Sequence, residues 1–121
     1  MSASGSSARV AQLGCGYWGK NLARNFAELG ALAAVCDPDP ATARREAEKN
    51  GVPALSIDEM LAAPSINGVS IAAPAEFHAA LALRAFEAGK HVFVEKPIAL
   101  TMEDAEKMRL AAKNADRALM V

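Results

Sequence analysis

Residues 14–19 read Gly-Cys-Gly-Tyr-Trp-Gly, and a short apolar run, Val10-Ala11-Gln12-Leu13, leads into them. A helical pattern follows at once, and Asp37 closes the next apolar run at the ~20-residue spacing of a dinucleotide-binding βαβ unit. Each glycine has a physical job: Gly14 makes a tight turn, Gly16 lets the backbone approach a pyrophosphate, and Gly19 lets helix and strand pack closely. The N-terminus of that helix offers free N–H groups and a positive dipole end to phosphate. Asp37 is placed to accept hydrogen bonds from the adenosine ribose hydroxyls, which favours NAD over NADP. A carboxylate about 4 Å from a 2′-phosphate charge is repelled by ~4 kcal/mol at an effective dielectric near 20. Arg44 and Arg45, in the helix after Asp37, read as a solvated face; only by reaching the ribose would they override this preference.

Strands and helices must alternate to position these groups. Leu22, Phe26 and Leu29 share one helical face, and Gly30 follows as a C′ residue. Ala31 to Cys36 is a second strand, Pro40 to Asn50 a helix ended by Gly51, and Ala54-Leu55 a weak third strand. Ser56-Ile57-Asp58-Glu59 is a capping box that opens a short helix. Gly68 to Ala72 is the fourth strand, broken by Pro74. A stripe of Ala79, Ala82, Leu83 and Phe86 is the next helix, and His91 to Val94 the fifth strand. Thr101 caps a helix carrying Ala105, Met108 and Ala112, and Ala118 to Val121 is a sixth apolar run. This alternation predicts an α/β fold: a Rossmann-type doubly wound parallel sheet in the order 3-2-1-4-5-6. Its ligand crevice lies outside the carboxyl ends of the strands, where the order reverses. Four segments meet there: Gly14 to Gly19, Asp37, Ala72 to Pro74, and Glu95-Lys96-Pro97.

Three stretches carry a resemblance. Gly14-Cys15-Gly16-Tyr17-Trp18-Gly19, then Ala73-Pro74-Ala75-Glu76-Phe77-His78, then Ala88 to Leu100 with its Gly-Lys-His-Val-Phe-Val-Glu-Lys-Pro core resemble the N-terminal domain of the glucose-fructose oxidoreductase, inositol dehydrogenase and rhizopine catabolism (Gfo/Idh/MocA) oxidoreductases. The likeness spans residues 9–121. Residues Gly16 to Phe26 look most like members acting on nucleotide-linked amino sugar acids. The resemblance implies NAD(P)-dependent oxidation of a secondary hydroxyl on a sugar, nucleotide-sugar or cyclitol, or the reverse reduction. It implies that Lys96 is catalytic, stabilising negative charge on the alcohol oxygen as hydride leaves, with Pro97 fixing the chain's exit. Glu95 orients Lys96 or contacts the nicotinamide ribose, or is an ordinary ion-pairing residue. Ala73, Pro74 and His78 belong to the cofactor-side loop, though His78 reads equally well as a helix-start residue bonding nearby backbone. Trp18, beside Tyr17, either covers the pyrophosphate or packs. Full-length relatives continue into a second α/β domain that binds substrate, carries a general acid/base histidine and builds the homo-oligomer. The 121 residues are expected to stop short of that domain and to bind cofactor without turning over.

Composition limits the rest. The net charge of −1 leaves no basic footprint for nucleic acid. No apolar run approaches the ~20 residues that span a bilayer. Residues 1–8 read as a flexible tail without the basic and apolar regions of a signal peptide, and residues 9–121 as one domain. Cys15 and Cys36 read as free thiols of a cytoplasmic protein; a redox role for Cys15 is weighed against a small residue tolerated in the turn. Neither His78 nor His91 has a metal partner at ligand spacing, and His91 reads as structural. The competing functional reading is a non-catalytic NAD-sensing module, and a third is an interaction domain that no longer binds cofactor.

Overall fold

The apolar runs become five parallel strands in a computed structural model that describes residues 8–121. The tail read from residues 1–8 lies, apart from Ala8, outside the described residues. The strands are β1 (Val10–Leu13), β2 (Leu32–Cys36), β3 (Gly68–Ile71), β4 (His91–Val94) and β5 (Leu119–Met120), in the order β2-β1-β3-β4-β5. Every pairing is parallel: Leu13 stands opposite Cys36 and Ile71, and Ile71 opposite Val94. Outside β2, Ala54 makes a single parallel bridge to Val35. With that bridge the order is the doubly wound one expected, reversing between β1 and β3.

The bridge corrects the weak third strand read at Ala54-Leu55. Leu55 N–H donates to Val35 O at 2.9 Å and Val35 N–H to Pro53 O at 3.1 Å. The ladder cannot lengthen: Pro53 has no N–H, and Ser56 N–H is taken by the Glu59 carboxylate at 2.8 Å. Glu59 N–H in turn donates to Ser56 Oγ at 3.1 Å. This reciprocal capping box starts a helix where a strand would have continued.

Helices α1 (Tyr17–Glu28) and α2 (Pro40–Asn50) pack on one face of the sheet. Helices α3 (Ile57–Ala62), α4 (His78–Glu87) and α5 (Met102–Ala115) pack on the other, as right-handed crossovers require. The larger core joins Leu13, Ile71 and Val94 to Met60, Phe86 and Met108, all buried. Each such side chain contributes on the order of 1.5–3 kcal/mol by leaving water. On the α1 side, Val10, Leu22, Phe26, Val92, Phe93 and Met120 line an apolar groove of about 360 Å³.

Two helical faces differ from their expected stripes. Helix α1 buries Gly19 and Ala23, whereas Leu22 and Phe26 are half-buried over the groove and Leu29 is 73% exposed. Small residues face the sheet because the start of the helix lies against β1 too closely for larger ones. Leu29 falls at the C-cap, where the turn into Gly30 carries it off the face. Helix α4 buries His78, Ala82, Ala85 and Phe86, leaving the expected Ala79 and Leu83 half-buried at its margins. In α5, Met108 and Ala112 are buried as read.

Of the described glycines, Gly19 has the least room for a side chain. A Cβ there would strike the carbonyl of Gly14 and stand 3.3 Å from Ala72 Cβ. Two effects oppose each other in Gly19→Ala. Helix propensity favours alanine by about 1 kcal/mol, whereas forcing a methyl into backbone costs about 1–3 kcal/mol or more. Gly19→Ala is expected to lower the urea unfolding midpoint; an unchanged or raised midpoint would show that α1 is free to slide outward.

Candidate functional site

The glycine turn is built around backbone contacts that a side chain would prevent. Gly14 has φ +94°, and a Cβ on it would stand 2.9 Å from the carbonyl carbon and oxygen of Ala72, so the position demands glycine twice over. Gly14 N–H donates to Cys36 O at 2.8 Å, and Ala72 N–H donates to Leu13 O at 2.8 Å. Gln12 Nε2 donates to Gly14 O at 3.1 Å. The turn is thereby fixed to β2 on one side and to the end of β3 on the other.

Asp37 fastens the same turn from the end of β2. Its Oδ2 accepts Cys15 N–H at 2.8 Å and its Oδ1 accepts Asp39 N–H at 2.9 Å. Each carboxylate oxygen keeps acceptor capacity beyond that one bond. Gly16 is the N-cap of α1, with no side-chain cap and no acidic residue in the first turn. A Cβ on Gly16 would meet nothing within 4 Å. An uncapped helix start with open space before it leaves backbone N–H groups free to meet an anion. The groups fit a dinucleotide: helix N–H groups that can donate to pyrophosphate and a carboxylate that can accept from ribose hydroxyls.

These groups border a cleft of about 600 Å³. Gly14, Gly16, Asp37, Ala73 and Pro74 line it, together with Pro38, Ile57, Phe77, Leu81 and Arg84. A second cleft of about 380 Å³ adjoins it and shares Asp37, Pro38, Ile57 and Arg84. Sequence reading missed the second group of wall residues. A signal was present: Phe77, Ala80, Leu81 and Arg84 recur at i, i+3, i+4 and i+7, a second stripe on α4 beside its core face. Arg44 and Arg45 line neither cleft, and Arg45 Nε lies 3.6 Å from Glu46 Oε2 on its own helix.

The Glu95-Lys96-Pro97 segment stands next to this cleft rather than in its wall. Glu95 N–H donates to Ile71 O at 2.9 Å, carrying the β3–β4 pairing one residue further. Lys96 is exposed and has no ion pair among the described residues. His78, 1% exposed, joins the two loops: Nε2 lies 2.8 Å from Ala73 O and Nδ1 2.8 Å from Pro97 O. Its ring therefore fixes the positions of Ala73 and Pro97 from behind instead of reaching into the cleft. Tyr17 and Trp18 are 70% and 64% exposed at the start of α1, their rings edge to face at 5.0 Å. His91 accepts Ala118 N–H through Nδ1 at 2.9 Å, holding β5 to β4. Lys90 is buried, and its ammonium donates to Ala63 O at 2.7 Å and Ile66 O at 2.6 Å. Burial holds its pKa below the ordinary lysine value.

Among the described residues no group of three His, Cys, Asp or Glu is arranged to hold a metal ion. No helix among them is long and apolar enough to cross a membrane. Cys15 and Cys36 are free and buried. Burial, with the Asp37 charge added, pushes the Cys15 thiol up to about 12 and the Cys36 thiol up to about 11. Neither is a thiolate near neutrality, so neither is a nucleophile in the folded chain.

Two outcomes are expected from these contacts. His78→Ala removes a buried ring and the one N–H it donates to a loop carbonyl, and should cost about 1–3 kcal/mol in chemical denaturation; a neutral substitution would mean that water replaces the ring. The thiols lose their protons near pH 9 when unfolded and well above that when folded, so stability should fall as pH rises from about 9. Melts of wild type and the Cys15→Ala/Cys36→Ala double variant across pH 8–11 measure this. Equal slopes would show that other groups cause the loss.

Similar proteins share this fold. The sequence pattern of the Gfo/Idh/MocA family, described as "Oxidoreductase family, NAD-binding Rossmann fold", matches residues 8–121. The scyllo-inositol 2-dehydrogenase (NAD(+)) of Bacillus subtilis is 36% identical over 103 residues, covering 81% of this chain and 30% of that protein. The solved UDP-N-acetylglucosamine 3-dehydrogenase of Acidithiobacillus ferrooxidans superposes with a TM-score of 0.86 at 32% identity, over 92% of this chain and 36% of that one. A biliverdin reductase from Synechocystis, solved with biliverdin and NADP+, superposes with a TM-score of 0.88 at 30% identity, over 96% of this chain and 38% of that one. The chain thus spans about a third of the length of these relatives. A parallel sheet reversing at β1, a glycine turn closed on Ala72, an acid at the end of β2 and a match over residues 8–121 lead to one conclusion: this chain belongs to the Gfo/Idh/MocA oxidoreductase family, as its NAD-binding Rossmann domain.

Proposed function

We propose that this domain serves a dehydrogenase that oxidises a secondary hydroxyl of a sugar, nucleotide-sugar or cyclitol, or runs the reverse reduction, and that it takes NAD(H) rather than NADP(H). The start of α1 at Gly16 binds the pyrophosphate, and Asp37 binds the adenosine ribose. Pro38 and Ile57 flank the adenine, and Ala73 and Pro74 lie toward the nicotinamide, whose ring when bound supplies the hydride acceptor. The observation that carries the reading is Lys96: an exposed ammonium with no ion pair among the described residues, at the carboxyl end of β4, on a segment that His78 anchors to the cleft loop.

An unpaired ammonium there stabilises negative charge that grows on a reacting oxygen, because nothing else consumes its field. Glu95 and Pro97 set the direction in which it leaves the sheet. Two further observations support the rest. The relatives named above include a cyclitol and a nucleotide-sugar dehydrogenase, and two buried free thiols suit a reducing compartment such as the cytoplasm. Substrate binding, turnover and any homo-oligomer are properties of the whole protein, and Lys96 is this domain's part in them.

Lys96→Ala in the whole protein should lower kcat on the order of 10²-fold or more and leave NAD affinity within a few-fold. Lys96→Arg should not restore the rate, since a planar guanidinium is bulkier and does not release a proton. Steady-state kinetics beside calorimetric NAD titration decide the matter. A near-normal kcat in Lys96→Ala would make Lys96 a bystander and favour a cofactor sensor without chemistry.

A further inference from the structure

Three charged side chains line the two adjoining clefts: Asp37, Asp58 and Arg84. Arg84, in the last turn of α4, is their one cation. Its Nη2 lies 2.7 Å from Oδ1 of Asp58, in the first turn of α3. The pair ties α3 to α4 where the clefts adjoin. The Ser56–Glu59 capping box fixes the turn that presents Asp58. Arg84 counts against one carboxylate, so the walls beside the ribose acceptor carry a net charge of −1.

Resting on the cofactor reading above, we propose that Asp58 and Arg84 form an electrostatic gate on the ribose 2′ position. Asp58 engages the only cation among the described residues that lines the clefts. The site therefore presents Asp37 without a free counter-charge, and a 2′-phosphate is repelled. Arg84, not Arg44 or Arg45, is the cation that receives a 2′-phosphate once Asp58 is neutralised. Both partners are exposed, with side chains 46% and 88% accessible. An ion pair in that setting is weak, so its guanidinium is freed at little cost to folding. A planar guanidinium is also the group suited to bidentate binding of phosphate. Asp58 is thus a specificity-determining residue that acts through Arg84 without touching the cofactor.

Titration of the whole protein with NADH and with NADPH tests this by binding alone, since the two differ only by the 2′-phosphate. Wild type should bind NADH more tightly. Asp58→Asn should shift the NADPH-to-NADH affinity ratio toward NADPH on the order of 10-fold, the scale of one charge at a partly solvated site, with NADH affinity within two-fold. Adding Arg84→Ala to Asp58→Asn should remove the gain, and raising the salt concentration should shrink it. An unmoved ratio in Asp58→Asn, a gain that survives the loss of Arg84, or a wild-type preference for NADPH would each overturn the gate while leaving the cofactor site intact. Failure of wild type to bind NADH would overturn the cofactor reading itself, and the gate with it.

Discussion

The site depends on one close approach: α1 starts so near the sheet that Gly19 lies against the carbonyl of Gly14, and Gly14 against the backbone of Ala72. Two strands and one helix meet in this contact. It holds the end of β1, the start of α1 and the exit of β3 within backbone distance, without side chains between them. The N–H groups at the start of α1 consequently open onto the cleft at the sheet's reversal point. A larger residue at either glycine would move the helix end away from the cleft. The small residues Gly19 and Ala23 on the inner face of α1, and its departure from the expected Leu22–Phe26–Leu29 stripe, follow from the same constraint.

Charge is distributed around that contact with economy. Asp37 bonds two backbone N–H groups, one in the glycine turn and one at the start of α2, so the group that would read the ribose also sets the turn. Its field raises both neighbouring thiols, which burial has already made poor acids. The Cys15 position inside the turn thus favours a small apolar residue over a reactive one. The cations divide by burial: Lys90 is used internally, on two carbonyls of the α3–β3 connection, whereas Lys96 at the end of β4 is exposed and has no ion pair among the described residues. The Gly-Lys-His-Val-Phe-Val-Glu-Lys-Pro stretch therefore holds one structural lysine and one open to solvent, separated by the length of a strand.

His78 connects these two halves. It lies at the first residue of α4 yet contacts Ala73 and Pro97, which belong to loops after different strands. Both loops leave the carboxyl ends of β3 and β4, and a buried ring between them resists their independent movement. Sequence reading left His78 between a cofactor-loop residue and a local backbone binder. Half of the answer is local, the Ala73 carbonyl five residues away. The other half, Pro97, depends on β3 and β4 being neighbours.

The sequence by itself determined what short-range chemistry dictates. The glycine turn, the acid after the second apolar run, the capping box at Ser56–Glu59 and the strand–helix alternation all follow from spacing and turn chemistry. Handedness then leaves one doubly wound order. Tertiary structure decided what depends on phase and on distant partners. Arg44 and Arg45 are near Asp37 in sequence, but their helix does not bring them to the clefts. Arg84 reaches the same walls from 47 positions further along, because α4 crosses there. The third strand shrank to one bridge because a capping box competes for the Ser56 N–H. Helical faces rotated by a residue or so because the depth of packing, which no periodicity records, selects small residues where backbones touch. Local patterns specify elements, but contacts between elements settle which residues share a site.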